Sequence, residues 1–271
     1  MALLGAGHTH QRGEYRTSVK AGLKYLTSHM KVDGNNGSLM DKEGNMYSHG
    51  IATIALCEAF AMTRDQSLAA PARMAINFIA AAQHPSGGGW RYRPRQSGDT
   101  SAGGWQLSAL HTAQIGGLRV PTTACMKFSR FLDSVQANDG AAYRYDRGSK
   151  SAGLTDVGLY CRIHLGWKKD RPALVAGAQR VEAIGPSLSN IYHMYYGTQL
   201  LYHLGGNAWR RWDARVRPYL VTRQSRNGHT AGSWHFGSNK KNYVQRGGRL
   251  YVTAMAALTL ETPYRHERLY K

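Results

Sequence analysis

"ARMAINFIAAAQHPSGGGWRY", residues 72–92, carries the pattern on which the fold prediction rests. An apolar helical run ends at Gln83, and a glycine-rich loop then leads to Trp90. The same order of features returns in "CMKFSRFLDSVQANDGAAYRY", residues 125–145, and in "VRPYLVTRQSRNGHTAGSWHF", residues 216–236. Self-similarity at a spacing of roughly 50 residues is typical of helix-pair arrays.

The recurring glutamine and the aromatic residue after it have a physical role in such an array. The side chains of Gln83, Gln136 and Gln224 can bond backbone groups at their own helix ends and in the next turn. The Trp or Tyr that follows packs on the neighbouring helix. Each unit then buries its apolar face against the next unit. A weaker copy occupies residues 19–39, and one around residues 181–189 lacks the loop.

Helical periodicity alternates with glycine-rich loops along the chain, and strand-like alternation is almost absent. The sequence therefore predicts an all-α fold. One helix of each pair is rich in Gly, Ala and Thr, which suits a crowded inner ring, and the other carries more Arg and Lys, which suits a solvated outer ring. The predicted helices run over residues 15–30, 47–63, 67–83, 100–115, 122–136, 155–165, 171–184, 190–204, 207–224 and 250–261.

The length of the chain fits one large domain or two small ones, and composition does not decide between them. The repeat predicts a single domain over residues 1–271, and the charge favours an anionic partner. The chain is 42% hydrophobic and holds six Trp, which argues for a globular protein. Lys and Arg number 35 against 16 Asp and Glu, giving a formal charge of +19 and a pI near 10.1. Nucleic acid, an acidic membrane face and a diphosphate-bearing substrate all fit this charge, and so does simple solubility.

The cysteines and the N-terminus predict a cytoplasmic protein. Cys57, Cys125 and Cys161 lie in apolar helical patterns and form no Cys-x-x-Cys pair, so they are expected to be reduced core thiols. The apolar run at the start is too short for a signal peptide, and no window approaches the roughly 18 apolar residues of a membrane span.

One copy of the repeat resembles a known family motif. Arg73, Phe78, Ile79, Gln83 and the Gly-Trp pair at 89–90 match the QW motif of squalene-hopene cyclases and related terpene cyclases, and the resemblance spans about residues 20–260. It implies an α/α toroid of about five helix hairpins, with an inner and an outer ring around an apolar cavity. That superfamily generally closes with six pairs, so an additional domain or a second copy is expected to fill the gap.

The resemblance also locates a catalytic position. Cyclases of this type start the reaction with an Asp-x-Asp-Asp-Thr motif whose middle Asp is the general acid. The Asp-Thr end falls on Asp99 and Thr100, which puts Gly98 at the protonating position and Gln96 at the other Asp. No carboxylate pair is left to raise one pKa. Asp99 is therefore expected to cap a helix, with retained acid chemistry as the alternative.

A second resemblance concerns zinc. "NIYHMYYGTQLL" resembles the β-subunit signature of protein prenyltransferases, with His193 on the zinc-ligand position. Asp156 matches a second ligand, but Gly158 stands where the Cys is expected, and Cys161 lies one helical turn further on. A displaced zinc site of Asp156, Cys161 and His193 is one interpretation. The other is a helix-start Asp, a core thiol and a hydrogen-bonded His, and no metal is favoured.

The loops before successive inner helices are basic and aromatic, at residues 90–95, 143–145 and 234–236, and toroid symmetry places them at one rim with the positive ends of the inner helices. Two functions follow. The first is a cavity for an isoprenoid or similar apolar ligand with an anionic head, with or without catalysis. The second is a basic module that docks nucleic acid or an acidic partner.

The candidate catalytic residues are Asp99, Asp156 and His193, and the candidate ligand-binding residues are His49, Arg91, Tyr92, Arg93, Trp105, Tyr192, Tyr195, Arg249 and Tyr251. Packing between helices is the competing explanation for the aromatic residues, Trp90 and Trp234 above all.

Overall fold

A computed structural model describes residues 1–40, 44–186, 190–235 and 244–269. Within these ranges the chain is built of helices, with two short antiparallel strand pairs in loops. The helices are α1 (Ala2–Gly5), α2 (Arg16–Ser28), α3 (Met46–Thr63), α4 (Gln66–Ala82), α5 (Thr100–Ile115), α6 (Thr122–Val135), α7 (Thr155–His164), α8 (Pro172–Ile184), α9 (Ile191–Leu204), α10 (Gly206–Val221) and α11 (Val244–Leu269). The strands are β1 (Lys31–Asp33), β2 (Asn36–Ser38), β3 (Gln136–Ala137) and β4 (Ala142–Tyr143).

The all-α prediction is confirmed, and the ten predicted helices correspond to α2 to α11. The ends agree within a few residues except in α11, which begins six residues before the predicted start at 250 and extends to Leu269. Gly248 has φ 60° inside this helix. The kink at this residue interrupts the helical period, so the sequence pattern does not reveal the first turn of α11. Helix α1 was not predicted, because four residues carry no helical period. Phe236 of the third predicted rim loop lies outside the described residues.

Side chains fix where four helices start. Asn45 accepts a hydrogen bond from the Tyr47 amide at the start of α3, and Asp65 accepts one from Ser67 at the start of α4. Asp99 and Asn190 do the same for α5 and α9. An N-cap of this kind satisfies a backbone donor that the helix itself cannot, and is worth about 1 kcal/mol.

Helices α3, α5, α7, α9 and α11 are called the central helices here, because each contacts the next in chain order and α11 contacts α3. Helices α4, α6, α8 and α10 each contact the central helix before or after them. Nearly every residue of α5 is buried. This closed cycle of contacts agrees with the toroid arrangement, which stays a prediction at this point.

The central helices α5, α7 and α9 run in the same direction. In their first turns, the Ser101 hydroxyl of α5 bonds the Tyr192 hydroxyl of α9 at 2.8 Å, and Asp156 of α7 contacts His193 of α9. Near their last turns, the rings of His111 and His164 lie 3.9 Å apart between centroids. The first turns of α5, α7 and α9 therefore gather at one end, which we call the mouth.

The recurring glutamine and tryptophan connect two of the flanking helices, α4 and α10, to the loops that follow them. Gln83 donates from Nε2 to the carbonyls of Gly88 and Ala124, at 2.8 and 2.9 Å, and the Trp90 indole donates to the Ile79 carbonyl at 2.7 Å. The third copy repeats the geometry, with Gln224 donating to Gly232 and Trp234 donating to Leu220. Both tryptophans are buried, so the packing interpretation of these two residues holds.

A buried ion pair connects the first central helix to the last. Arg265 of α11 donates from Nε to Glu58 Oε1 of α3 at 2.8 Å, and both side chains are buried. Helix α1 contacts both α3 and α11 at this junction. A buried charge is stable only when it is paired, so α3 and α11 depend on each other. Across the described ranges, every helix is too short or too polar to cross a bilayer.

Candidate functional site

The mouth is lined by phenol and hydroxyl groups from α3, α5, α9 and α11. Ser101 lies at the centre, donating to the Tyr192 hydroxyl and within hydrogen-bonding reach of the Tyr47 phenol. Tyr251 lies close enough to both phenols to raise the pKa of each, although burial is the larger cause. Tyr47, Tyr192 and Tyr251 are half-buried, so part of each side chain lies at the surface of the mouth. We call these three tyrosines and Ser101 the mouth cluster.

Asp99 lies beside this cluster in a chain of hydrogen bonds. Its Oδ1 accepts from the Ala102 amide at 2.7 Å, so the predicted capping role is correct. Its Oδ2 accepts from the Tyr145 hydroxyl at 3.1 Å, and Tyr145 in turn bonds the hydroxyl of the exposed Tyr92 at 2.8 Å. The Arg91 guanidinium is 3.9 Å from the same carboxylate. This series of hydrogen bonds connects the fully buried Asp99 carboxylate to the exposed Tyr92.

Burial raises the pKa of Asp99 to about 6. The hydrogen bonds from Ala102 and Tyr145 oppose the shift, because they stabilise the carboxylate form. A carboxyl with such a pKa can hold or release a proton near neutral pH. The side chain is 0% exposed, however, so a ligand has no direct contact with it.

The backbone excludes a carboxylate at the protonating position of the cyclase motif. A Cβ added to Gly98 would lie 2.5 Å from the Cα of Gly89, far inside van der Waals contact. The two segments approach so closely because Trp90 and Asp99 form an antiparallel bridge next to them. Glycine at residue 98 is therefore required by the fold, and substitution with Asp would disrupt the loop rather than supply an acid.

Aromatic side chains fill the space behind the mouth cluster. Trp105 stacks on Tyr195 at 5.5 Å between ring centroids and contacts Tyr196 edge-on at 5.5 Å. Tyr196 contacts Tyr160 in the same way. Trp105 is only 2% exposed and Tyr196 is 0% exposed. Two of the predicted ligand-binding residues, Trp105 and Tyr195, are thus packed against other aromatic rings.

Asp156 and His193 meet as the resemblance implied. His193 Nδ1 is 3.1 Å from Asp156 Oδ2, and both side chains are buried. The carboxylate can only accept, so Nδ1 carries the proton. Nε2 is buried and has no hydrogen-bond partner among the described residues. Asn190 holds this turn in place by accepting from the His193 amide.

The third member of the proposed zinc set does not join them. No group of three or more His, Cys, Asp or Glu side chains with metal-binding geometry occurs among the described residues. Burial also raises the pKa of the Cys161 thiol, which disfavours the thiolate that zinc requires. Asp156 and His193 form a pair, and the structure does not assemble the set of Asp156, Cys161 and His193.

The remaining predicted ligand residues divide into internal and exposed ones. His49 accepts from the Leu39 amide at Nδ1 and bonds the Ala75 carbonyl through Nε2, so both ring nitrogens are used inside the protein. Arg93 and Arg249 are exposed at the mouth end. Of these three residues, the two arginines are accessible to a partner and His49 is not.

Sequence reasoning missed a histidine cluster at the opposite end of the central helices. The ring centroids of His111 and His164 are 3.9 Å apart, and those of His164 and His203 are 4.9 Å apart. Burial lowers the pKa of His111 and of His203 to about 4. The three residues occupy equivalent places near the ends of three central helices, and this periodic recurrence was the signal that could have revealed them.

Comparison with models of known protein families and with curated protein sequences found no match for this chain. The resemblance to terpene cyclases and prenyltransferases stays a prediction from the sequence motif.

Proposed function

We propose that the protein is a terpenoid-cyclase-like toroid that binds an isoprenoid, or a similar apolar ligand with an anionic head, at its mouth. The observation that carries this proposal is the mouth cluster, in which Tyr47, Tyr192 and Tyr251 surround Ser101 above an aromatic interior. Phenol hydroxyls can donate hydrogen bonds to an anionic head, and their rings offer apolar contact. The cycle of contacts among the central helices supports the toroid.

Binding is assigned to the mouth rather than to a deep cavity. The stacked rings of Trp105 and Tyr195 occupy the space behind the mouth, which leaves the half-buried Tyr192 and Tyr251 as the accessible aromatic surface. Protonating catalysis is not part of the proposal. The backbone around Gly98 has no room for a carboxylate side chain. The Asp99 carboxylate is buried and accepts hydrogen bonds from other groups of the protein.

Trp fluorescence titration tests the proposal, with farnesyl diphosphate, farnesol and inorganic diphosphate as ligands. Farnesyl diphosphate is expected to bind saturably and more tightly than either fragment, because it offers both an apolar chain and an anionic head. Tyr251→Phe removes one phenol hydroxyl of the mouth cluster and is expected to weaken binding by about two- to tenfold. Tyr25→Phe is the matched control, since Tyr25 is 58% exposed on α2, outside the mouth cluster. Equal weakening by both variants would refute binding at the mouth.

A basic module for nucleic acid or an acidic partner is the second candidate. It rests on the charge of +19 and on the exposed Arg93 and Arg95 beside the exposed Tyr92. Binding of a short duplex or single strand should then fall steeply as salt rises, whereas binding of farnesol should barely change. Absence of duplex and single-strand binding at low salt would eliminate this candidate.

A zinc-dependent prenyltransferase-like enzyme is the third candidate, and it rests on the contact between Asp156 and His193. Metal analysis of the purified protein tests it. Zinc content that is unchanged in His193→Ala would eliminate it.

The free thiols of Cys57, Cys125 and Cys161 favour a reducing compartment, and we assign the protein to the cytoplasm on that ground.

A further inference from the structure

A cavity of about 430 Å³ lies between the loop after α4 and the loop after β4, with α6 behind it. We call it the loop cavity. Its walls include the side chains of His84, Arg91, Asp146 and Arg147, and Phe131 of α6 contributes an apolar surface. The volume falls in the range of small-molecule sites. The residues that line it belong to these loops and to α6 rather than to the central helices, so an inference about it does not depend on the proposed function.

Two guanidinium groups face the loop cavity. Arg91 is held by a hydrogen bond from Nη1 to Asp146 Oδ2 at 3.2 Å. Arg147 donates from Nε to the Ser134 hydroxyl at 3.0 Å, which leaves its two terminal amino groups as donors. Arginine is well suited to phosphate because its planar donors match the oxygens of the anion.

The hydrogen bonding of His84 adds a third donor. The Gly87 amide donates to His84 Nδ1 at 2.8 Å. Nδ1 is therefore the acceptor nitrogen, and in the neutral ring the proton lies on Nε2. The imidazole is fixed in a tautomer that can donate to an anion in the loop cavity.

The carboxylate of Asp146 does not cancel the positive charge that Arg91 and Arg147 give to the loop cavity. Its Oδ1 accepts from the Gly148 amide at 3.1 Å and from the Ser149 hydroxyl at 2.8 Å, while its Oδ2 accepts from Arg91. The hydrogen bond from Ser149 lowers the pKa of Asp146. Both oxygens are engaged, and two guanidinium groups against one carboxylate leave the walls with a net positive charge.

We propose that the loop cavity binds the phosphate group of a small organic phosphate. Arg147, Arg91 and His84 Nε2 donate to the phosphate oxygens, and the organic part occupies the rest of the cavity, where the buried Phe131 forms part of the wall. The volume of about 430 Å³ leaves room for a ring-sized substituent beside the phosphate. The site differs from the mouth cluster in its residues and in its location.

Isothermal titration with inorganic phosphate and with phenyl phosphate, at low ionic strength, tests the proposal. Both are expected to bind with a stoichiometry near one per chain, phenyl phosphate because the cavity of about 430 Å³ has room for its ring. Arg147→Ala is expected to weaken both by about tenfold or more, the value of a charge-assisted hydrogen bond. Arg147 is exposed and is not part of a helix, so this variant should fold normally.

Arg119→Ala is the matched control, because it removes one positive charge from an exposed loop position that does not line the loop cavity. Its phosphate affinity is expected to stay within about twofold of the original. Equal weakening by Arg119→Ala and Arg147→Ala would show a general effect of charge and overturn the site. Failure of saturation with either ligand would also overturn it, whatever farnesyl diphosphate does at the mouth.

Discussion

The recurring glutamine should matter most where its side chain is buried and makes two hydrogen bonds. Gln83 is 5% exposed and donates to the carbonyls of Gly88 and Ala124. Gln83→Ala removes this donor. The Ala124 carbonyl keeps its helical hydrogen bond within α6, but the buried Gly88 carbonyl loses its side-chain partner. An unsatisfied buried acceptor costs about 1–3 kcal/mol, so the free energy of unfolding should fall by about 2 kcal/mol.

Gln224 offers an internal comparison at the same position of the repeat. It is half-buried and donates to Gly232, in a loop open to water. Water can replace this bond, so Gln224→Ala should lower the free energy of unfolding by about 1 kcal/mol or less. The two variants remove the same atoms from the same sequence motif, and only their surroundings differ.

Equilibrium unfolding in urea, followed by circular dichroism, measures both free energies. The denaturant dependence should be unchanged, so that a shift in midpoint reports stability alone. A loss for Gln83→Ala that is no larger than the loss for Gln224→Ala would show that the pair of hydrogen bonds is not what stabilises the repeat. A loss below about 1 kcal/mol for Gln83→Ala would lead to the same conclusion.

Three further predictions concern stability. Because the folded pKa of Asp99 is raised to about 6 from 3.8, the native state binds more protons between those values, and its stability should fall by at most about 3 kcal/mol as pH rises through that window. Asp99→Asn should abolish this loss, as urea unfolding at several pH values would show; an unchanged pH profile would contradict it. Gly98→Ala should unfold or severely destabilise the chain, whereas Gly22→Ala, with open space around its Cβ in α2, should raise the thermal midpoint slightly; equal effects of both would contradict the close approach at residue 98. Arg265→Met should cost about 3–5 kcal/mol, and adding Glu58→Met should recover most of it; additive losses in a double-mutant cycle would refute the buried pair.

The helices could be predicted because their signals are local. Asp99 and the Gly-Gly pair at 116–117 delimit α5, and its predicted bounds match the observed ones. Where local signals fail, the prediction failed as well. The Gly-Gly pair at 247–248 interrupts the pattern of α11, and α1 is a single short turn whose position depends on contacts with α3 and α11.

Only part of the candidate site could be predicted from the sequence. Tyr192 and Tyr251 of the mouth cluster were expected as ligand-binding residues, whereas Tyr47 and Ser101 were not. The resemblance brought Asp156 and His193 together, and the capping of α5 by Asp99 followed from its place before a helix. The bond from Tyr145 to Asp99 joins residues 46 positions apart, and no local pattern encodes it. The burial that raises the pKa of Asp99 comes from the whole fold, and the loop cavity depends on two loops meeting over α6.

The pairing of Glu58 with Arg265 has a consequence for biosynthesis. The ribosome releases α3 long before α11, since the two partners are 207 residues apart in the chain. Until the last helix emerges, α3 presents an acidic group and an unpaired apolar face to the surrounding solution. A nascent chain of this kind is expected to need protection by chaperones, or to exchange its last helix with that of a second copy.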